Sequence, residues 1–140
     1  MKRIVTLLIV HCTGTPMNIA CGYKEIDYYH RNVLNWKNGC GYHLIIRRDG
    51  TIENGRPVEM VGAHCHGHNR HSISIVYEGG LGQDGKPADT RTPEQKLAMR
   101  RLLEDLKKDY PKAVIVGHNV FSNKACPCFD AVKEYADLNV

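Results

Sequence analysis

The sequence predicts an α/β fold, a mixed central β-sheet flanked by helices. Three observations carry that expectation. Apolar runs of strand length, at residues 4–10 and 113–116, alternate with segments whose apolar residues recur at helical spacing. An Asp49-Gly50 turn joins two strand-like stretches, a hairpin signal. Strands and helices interleave from end to end without a repeat, low-complexity run or linker, and 140 residues suit one domain, residues 1–140.

In chain order, residues 4–10 read as a buried strand. A loop with Gly14, Pro16 and Gly22 leads to a helix on which Ile26, Tyr29, His30, Val33 and Leu34 recur at helical spacing, stopped by Gly39 and Gly41. His30, on that stripe, reads as a packed, satisfied histidine. Residues 42–48 are rich in β-branched and apolar types and pair through Asp49-Gly50 with residues 51–53. Residues 62–71, rich in glycine, histidine and asparagine, form a loop feeding a strand over 72–77. There Ile73 and Ile75 alternate with serines, which predicts one buried face. After a polar loop at 79–90, Thr92-Pro93-Glu94-Gln95 combines an N-cap threonine, proline at the first helical position and glutamine three residues after the cap. Met99, Leu102, Leu103, Leu106 and Tyr110 mark the buried stripe of that helix, and Pro111 ends it. Residues 113–116 predict a central strand, and Asp130 caps a last helix reaching Leu138.

Composition excludes more than it assigns. With 42% hydrophobic and 24% charged residues the chain is neither disordered nor membrane-spanning. The net charge of +4 is spread over helices such as residues 100–108, where basic and acidic side chains alternate on a solvated face. No basic cluster is interleaved with aromatics, so nucleic-acid binding is not expected. The apolar run at 4–10 is seven residues long and lacks a small-residue cleavage site, so neither a signal peptide nor a membrane helix is expected. Six cysteines in such a chain predict free thiols and not a disulfide framework.

Two apolar strands end alike. Leu8-Ile9-Val10 runs into His11, and Val114-Ile115-Val116-Gly117 runs into His118. Eight residues beyond His118, a loop brings Cys126, which could return to the same sheet edge. Two neutral imidazoles and one thiolate leave a fourth tetrahedral position open, the donor pattern of a catalytic zinc and not of a structural one. On spacing alone, two histidines that are simply hydrogen-bonded at strand ends are the competing reading. The run His64-Cys65-His66-Gly67-His68-Asn69-Arg70-His71 invites a metal site of its own, but it lacks the Cys-x-x-Cys element of closed zinc sites.

Four blocks taken in order are more specific. These are Ile9-Val10-His11-Cys12; Gly41-Tyr42-His43 with Arg48-Asp49-Gly50-Thr51; Gly62-Ala63-His64 with Asn69 and Ser72-Ile73; and His118 with Lys124-Ala125-Cys126-Pro127. Together, over about residues 4–130, they resemble the type 2 N-acetylmuramoyl-L-alanine amidases, whose fold is shared with peptidoglycan recognition proteins. The resemblance implies an amidase-like mixed α/β fold and zinc-dependent hydrolysis of the amide between N-acetylmuramic acid and the L-alanine of the peptidoglycan stem peptide. It implies one Zn2+ per chain on His11, His118 and Cys126. It makes Tyr42 the catalytic tyrosine near the metal-bound water and Lys124 the lysine that supports the reacting carbonyl. His64 and Asn69, in a loop bordering the substrate groove, are expected to hydrogen-bond the glycan or stem peptide. Zinc chemistry suits these types: it activates water and polarises a carbonyl, while a nearby ammonium stabilises an oxyanion and a phenol positions water.

The chain departs from the family pattern at His68, where an aromatic such as tyrosine is usual, and at Ser74, where glycine is usual. Both lie on the substrate side of the implied site. Cys12, Cys21, Cys40, Cys65 and Cys128 read as structural or incidental, with Pro127 directing Cys128 away from the metal. The alternative of a different class is a recognition module that binds peptidoglycan without cutting it. Relatives without activity typically replace the zinc cysteine, often by serine, whereas Cys126 is present here. The expected partner is peptidoglycan or a muropeptide, with no nucleic acid and no membrane. Synthesis without a signal peptide predicts action on the wall after release from the cytoplasm, or on cytosolic muropeptides.

Overall fold

A strand over Leu7–Cys12 (β1) is buried at every position but Leu7, in a computed structural model that describes residues 3–139. Next come a two-residue strand Thr15–Pro16 (β2), a helix Tyr23–Asn32 (α1), and strands Leu44–Ile46 (β3), Ile52–Asn54 (β4), Ser72–Tyr77 (β5) and Gly80–Leu81 (β6). A long helix Pro93–Asp109 (α2), a strand Val114–Gly117 (β7) and a short helix Ala131–Glu134 (α3) complete the chain. Five strands form one sheet in the order β4-β3-β5-β1-β7. All neighbours in it are parallel except β3 and β4, the predicted hairpin. The sheet is therefore mixed, as expected, and β2 and β6 form a small parallel pair apart from it.

Period-two alternation divides β1 between two layers. Leu8, Val10 and Cys12 join Leu44, Ile46, Ile73, Ile75 and Tyr77 in the main core, against Met99, Leu103 and Leu106 of α2. The other face receives Ile9, packed with Cys65 and Val116, and Ile45 and Val76, packed with Ile26 of α1. His11 lies on this second face.

Local chemistry explains the element ends. Thr92 Oγ1 accepts from Gln95 N at 3.0 Å and Gln95 Oε1 accepts from Thr92 N at 2.9 Å, a reciprocal cap worth about 1 kcal/mol. Gln95 Nε2 also donates to the carbonyls of Ile46 and Glu78, which fastens the start of α2 to the ends of β3 and β5. In the hairpin, Asp49 Oδ1 accepts from Thr51 N, and Gly50 adopts φ +89°, a conformation open to glycine at little cost.

Four expectations are corrected. β5 has no solvated face: Ser72 and Ser74 are fully buried, because their hydroxyls are hydrogen-bonded to the imidazoles of His64 and His43. Residues 113–116 do not form a central strand, since β7 lies at the sheet edge, and its open backbone is paired by Asn139, whose side chain accepts from Ile115 N and donates to Ile115 O. On α1 only Ile26 and His30 are buried, while Tyr29, and Val33 and Leu34 just past its end, are exposed, because the helix covers only the small β3–β5 patch of the second layer. The last helix stops at Glu134 and resumes as a 3-10 turn at Ala136–Leu138, although Asp130 does cap it, accepting from Lys133 N.

Candidate metal centre

The register of β1 with β7 pairs Val10 with Gly117. One residue beyond each stand His11 and His118, so parallel pairing alone sets the two imidazoles side by side, with ring centroids 4.6 Å apart. The loop after His118 passes through Lys124 and Ala125 to Cys126, which a cis peptide bond joins to Pro127. Cys126 Sγ returns to 3.9 Å from His11 Nδ1. One donor atom from each of His11, His118 and Cys126 lies within 4.8 Å of the other two, the one such group of three among the described residues.

The surroundings shift each donor toward its ligating form. Burial holds the His11 imidazole well below its usual pKa, and the neighbouring His64 and His118 add to that. His118 is lowered too, by burial and then by the charge of Lys124. The Cys126 thiol is lowered chiefly by the hydrogen bond from the Cys12 thiol; burial opposes this, while the Cys12 backbone N–H, 3.2 Å from Sγ, and the charge of Lys124 reinforce it. Two neutral nitrogens and a thiolate-prone sulfur suit zinc. Tetrahedral bonds of about 2.0–2.3 Å set such donors roughly 3.3–3.6 Å apart, so the group would close on the ion by contractions of roughly 1 Å or less for most of its span.

Tyr42, just before β3, is half-buried with its ring edge-on to His11 at 5.3 Å. Burial raises its phenol above the usual value, so it keeps its proton at working pH. Lys124 is exposed at the rim of the loop, its backbone N–H donating to Ser122 Oγ. His64 lies against the donors, with Nδ1 2.9 Å from His11 Nε2 and Nε2 3.2 Å from Ser72 Oγ. Asn69 stands behind it, its Oδ1 accepting from the backbone N–H of both His64 and Cys65. His68 stacks on Phe121 with centroids 3.9 Å apart, joining the histidine-rich loop to the loop of Cys126. His30 is buried, its Nδ1 accepting from Gly41 N.

Cys12, read from the sequence as structural or incidental, supports a donor directly, a contact the sequence reading missed. Its N–H and thiol support Cys126, while its sulfur also lies 3.9 Å from Cys128, which turns away to donate to Gly80 O. The signal was its position directly after His11, at the end of a strand facing the returning loop. A cavity of about 460 Å³ opens beside Tyr42, lined by Thr13, Thr15, Glu25, Ile26, Tyr29 and His30 among others. A second, of about 450 Å³, lies away from the three donors, where Arg47 pairs with Glu53 and Glu78 and the Arg48 guanidinium donates to the carbonyls of Glu78 and Thr90.

Comparison with known proteins bears on the family and the fold. The profile of the N-acetylmuramoyl-L-alanine amidase family matches residues 1–129. The endolysin of Enterobacteria phage K11 is 43% identical over 129 residues, 92% of this chain and 84% of that protein. The endolysin of Escherichia phage T7 is 40% identical over 123 residues, covering 88% and 80%. Among solved structures, the endolysin N-acetylmuramoyl-L-alanine amidase LysCS from Clostridium intestinale superposes with a TM-score of 0.81 at 30% identity, over 99% of this chain and 86% of that one.

Proposed function

The chain belongs to the N-acetylmuramoyl-L-alanine amidase family, and on that premise we propose that it is a zinc-dependent enzyme that hydrolyses the amide between the lactyl group of N-acetylmuramic acid and the L-alanine of the peptidoglycan stem peptide. The observation that carries this reading is the convergence of single donors from His11, His118 and Cys126 to within 4.8 Å. Zinc bound there supplies Lewis acidity, lowering the pKa of a water toward neutrality and polarising a carbonyl oxygen. In this reading His11 and His118 hold the ion by neutral nitrogens and Cys126 holds it as thiolate. Tyr42, which keeps its proton, positions the attacking water by hydrogen bond. Lys124 offers its ammonium to the carbonyl oxygen as negative charge develops there. The muropeptide enters along the cavity beside Tyr42, whereas both ring nitrogens of His64 are taken up by His11 and Ser72 and Asn69 Oδ1 by the backbone of His64 and Cys65.

Mass analysis of digested, purified peptidoglycan tests the proposal. Stem peptides released with a free L-alanine amino group, from glycan that is not cut, are the expected products. Binding without release would make the chain a recognition module, and cleavage of any other bond would overturn the assignment.

A further inference from the structure

His64 is aimed at a donor. His11 Nδ1 faces Cys126 Sγ, so when His11 ligates a metal, Nδ1 carries the lone pair and the ring proton resides on Nε2. That nitrogen lies 2.9 Å from His64 Nδ1, which must then accept. A neutral histidine that accepts at Nδ1 carries its proton on Nε2, and Ser72 Oγ stands 3.2 Å away to receive it. The hydrogen-bond direction is thus determined from His11 through His64 to Ser72.

We propose that His64 is a positioning residue: it accepts the Nε2–H of His11 and so fixes the tautomer and ring plane in which His11 offers Nδ1 to zinc. The proposal rests on the zinc-amidase reading and adds a role for a residue outside the donor set. The surroundings hold His64 to this task. Asn69 Oδ1 clamps the backbone N–H groups of His64 and Cys65, each at 2.9 Å. The ring stands edge-on to His11, with centroids 4.9 Å apart and planes at 87°. Ser72 belongs to β5, the neighbour of β1 in the sheet, so both ends of the relay are set by the same ladder. His43, the next imidazole in this layer, is not available for the role: its Nδ1 accepts from Ser74 N and its Nε2 donates to Met60 O. A neutral imidazole acceptor also orients the ligand without adding negative charge beside a site that must polarise a carbonyl.

Zinc affinity of the purified chain, measured by chelator competition, reads this relay without reference to turnover. Outer partners of metal-bound histidines are worth roughly 10–100-fold in affinity. His64→Leu, which fills the space but cannot accept, is expected to lose that factor and to shift the ligand-field bands of the Co2+-loaded protein. His64→Asn, whose Oδ1 takes the place of Nδ1, is expected to restore affinity to within a few-fold of wild type. Ser72→Ala is expected to weaken zinc binding by less than His64→Leu. Wild-type affinity in His64→Leu overturns the proposal, as does an Asn variant as weak as the Leu variant, because the loss would then come from packing. Should His64→Leu fail to fold, His64→Asn and Ser72→Ala carry the test, and an unaltered affinity in Ser72→Ala overturns it. A wild-type protein that takes up no zinc would bring down the metalloenzyme reading as well, a failure distinct from these.

Discussion

Replacing Cys126 by serine should remove most of the protein's response to zinc. The sulfur 3.9 Å from His11 Nδ1 is the one donor that binds as an anion, and its hydroxyl replacement stays protonated at neutral pH. Zinc-binding energies of about 10–16 kcal/mol, shared over four ligands, come to roughly 2.5–4 kcal/mol each, or about 10²–10³-fold in affinity. At free zinc about 100 times the wild-type Kd, binding stabilises the native state by about 2.7 kcal/mol, whereas a site 100-fold weaker retains roughly 0.4 kcal/mol at the same concentration. For a chain of 140 residues that is a rise in Tm of about 10 °C for wild type and about 1–2 °C for the variant. Without metal the two should melt within a few degrees of each other, because serine Oγ can still accept from Cys12 N. Thermal unfolding with and without zinc, alongside release of stem peptides, is the assay. An equal zinc-induced rise in Cys126→Ser, or intact hydrolysis, would refute the assignment of the ligand.

Lys124→Ala should lower kcat by about 10²–10³ with zinc still bound, since the side chain is exposed and stands outside the donor set; loss of zinc in metal analysis would contradict that separation. Arg91, buried, donates to Asp89 and Glu134 with its guanidinium 3.5 Å over Phe129, so Arg91→Met should cost about 2–3 kcal/mol by urea unfolding. That is less than for a fully buried pair, because the Glu134 side chain is 40% exposed. Burial lowers the pKa of His43 to about 4. The unfolded chain therefore takes up this proton near pH 6.5 and the folded one only near pH 4, so stability falls as pH drops through that window, by roughly 3 kcal/mol from this residue. His43→Gln should flatten the slope there by about one proton, and an unchanged slope would show that His43 does not titrate as described.

Features whose physics is local were legible in the chain. Thr92 and Gln95 are three residues apart and cap α2 by reaching only each other, and Asp49-Gly50 turns the chain whatever lies around it. The alternation of Ile73 and Ile75 with serines was read correctly as a strand but wrongly as half-solvated. A serine looks polar in sequence, and only its imidazole partner from another segment makes burial tolerable. The apolar run before His118 likewise announced a strand without revealing that Asn139 guards its outer edge.

At the site, residue types and their place at strand ends offered His11, His118 and Cys126 as donors, while Tyr42 and Lys124 came from the family resemblance of the ordered blocks. Their assembly belongs to the sheet. The pairing of Val10 with Gly117 sets His11 beside His118, and the pairing of β1 with β5 brings Ser72 within reach of the histidine that touches His11. Cys12 shows the same division. In the chain it reads as a structural or incidental thiol after a histidine, and in the fold its thiol and N–H lower the pKa of Cys126. Hydrogen bonds of about 3 Å between segments many residues apart depend on strand order and register, and no local preference encodes those distances.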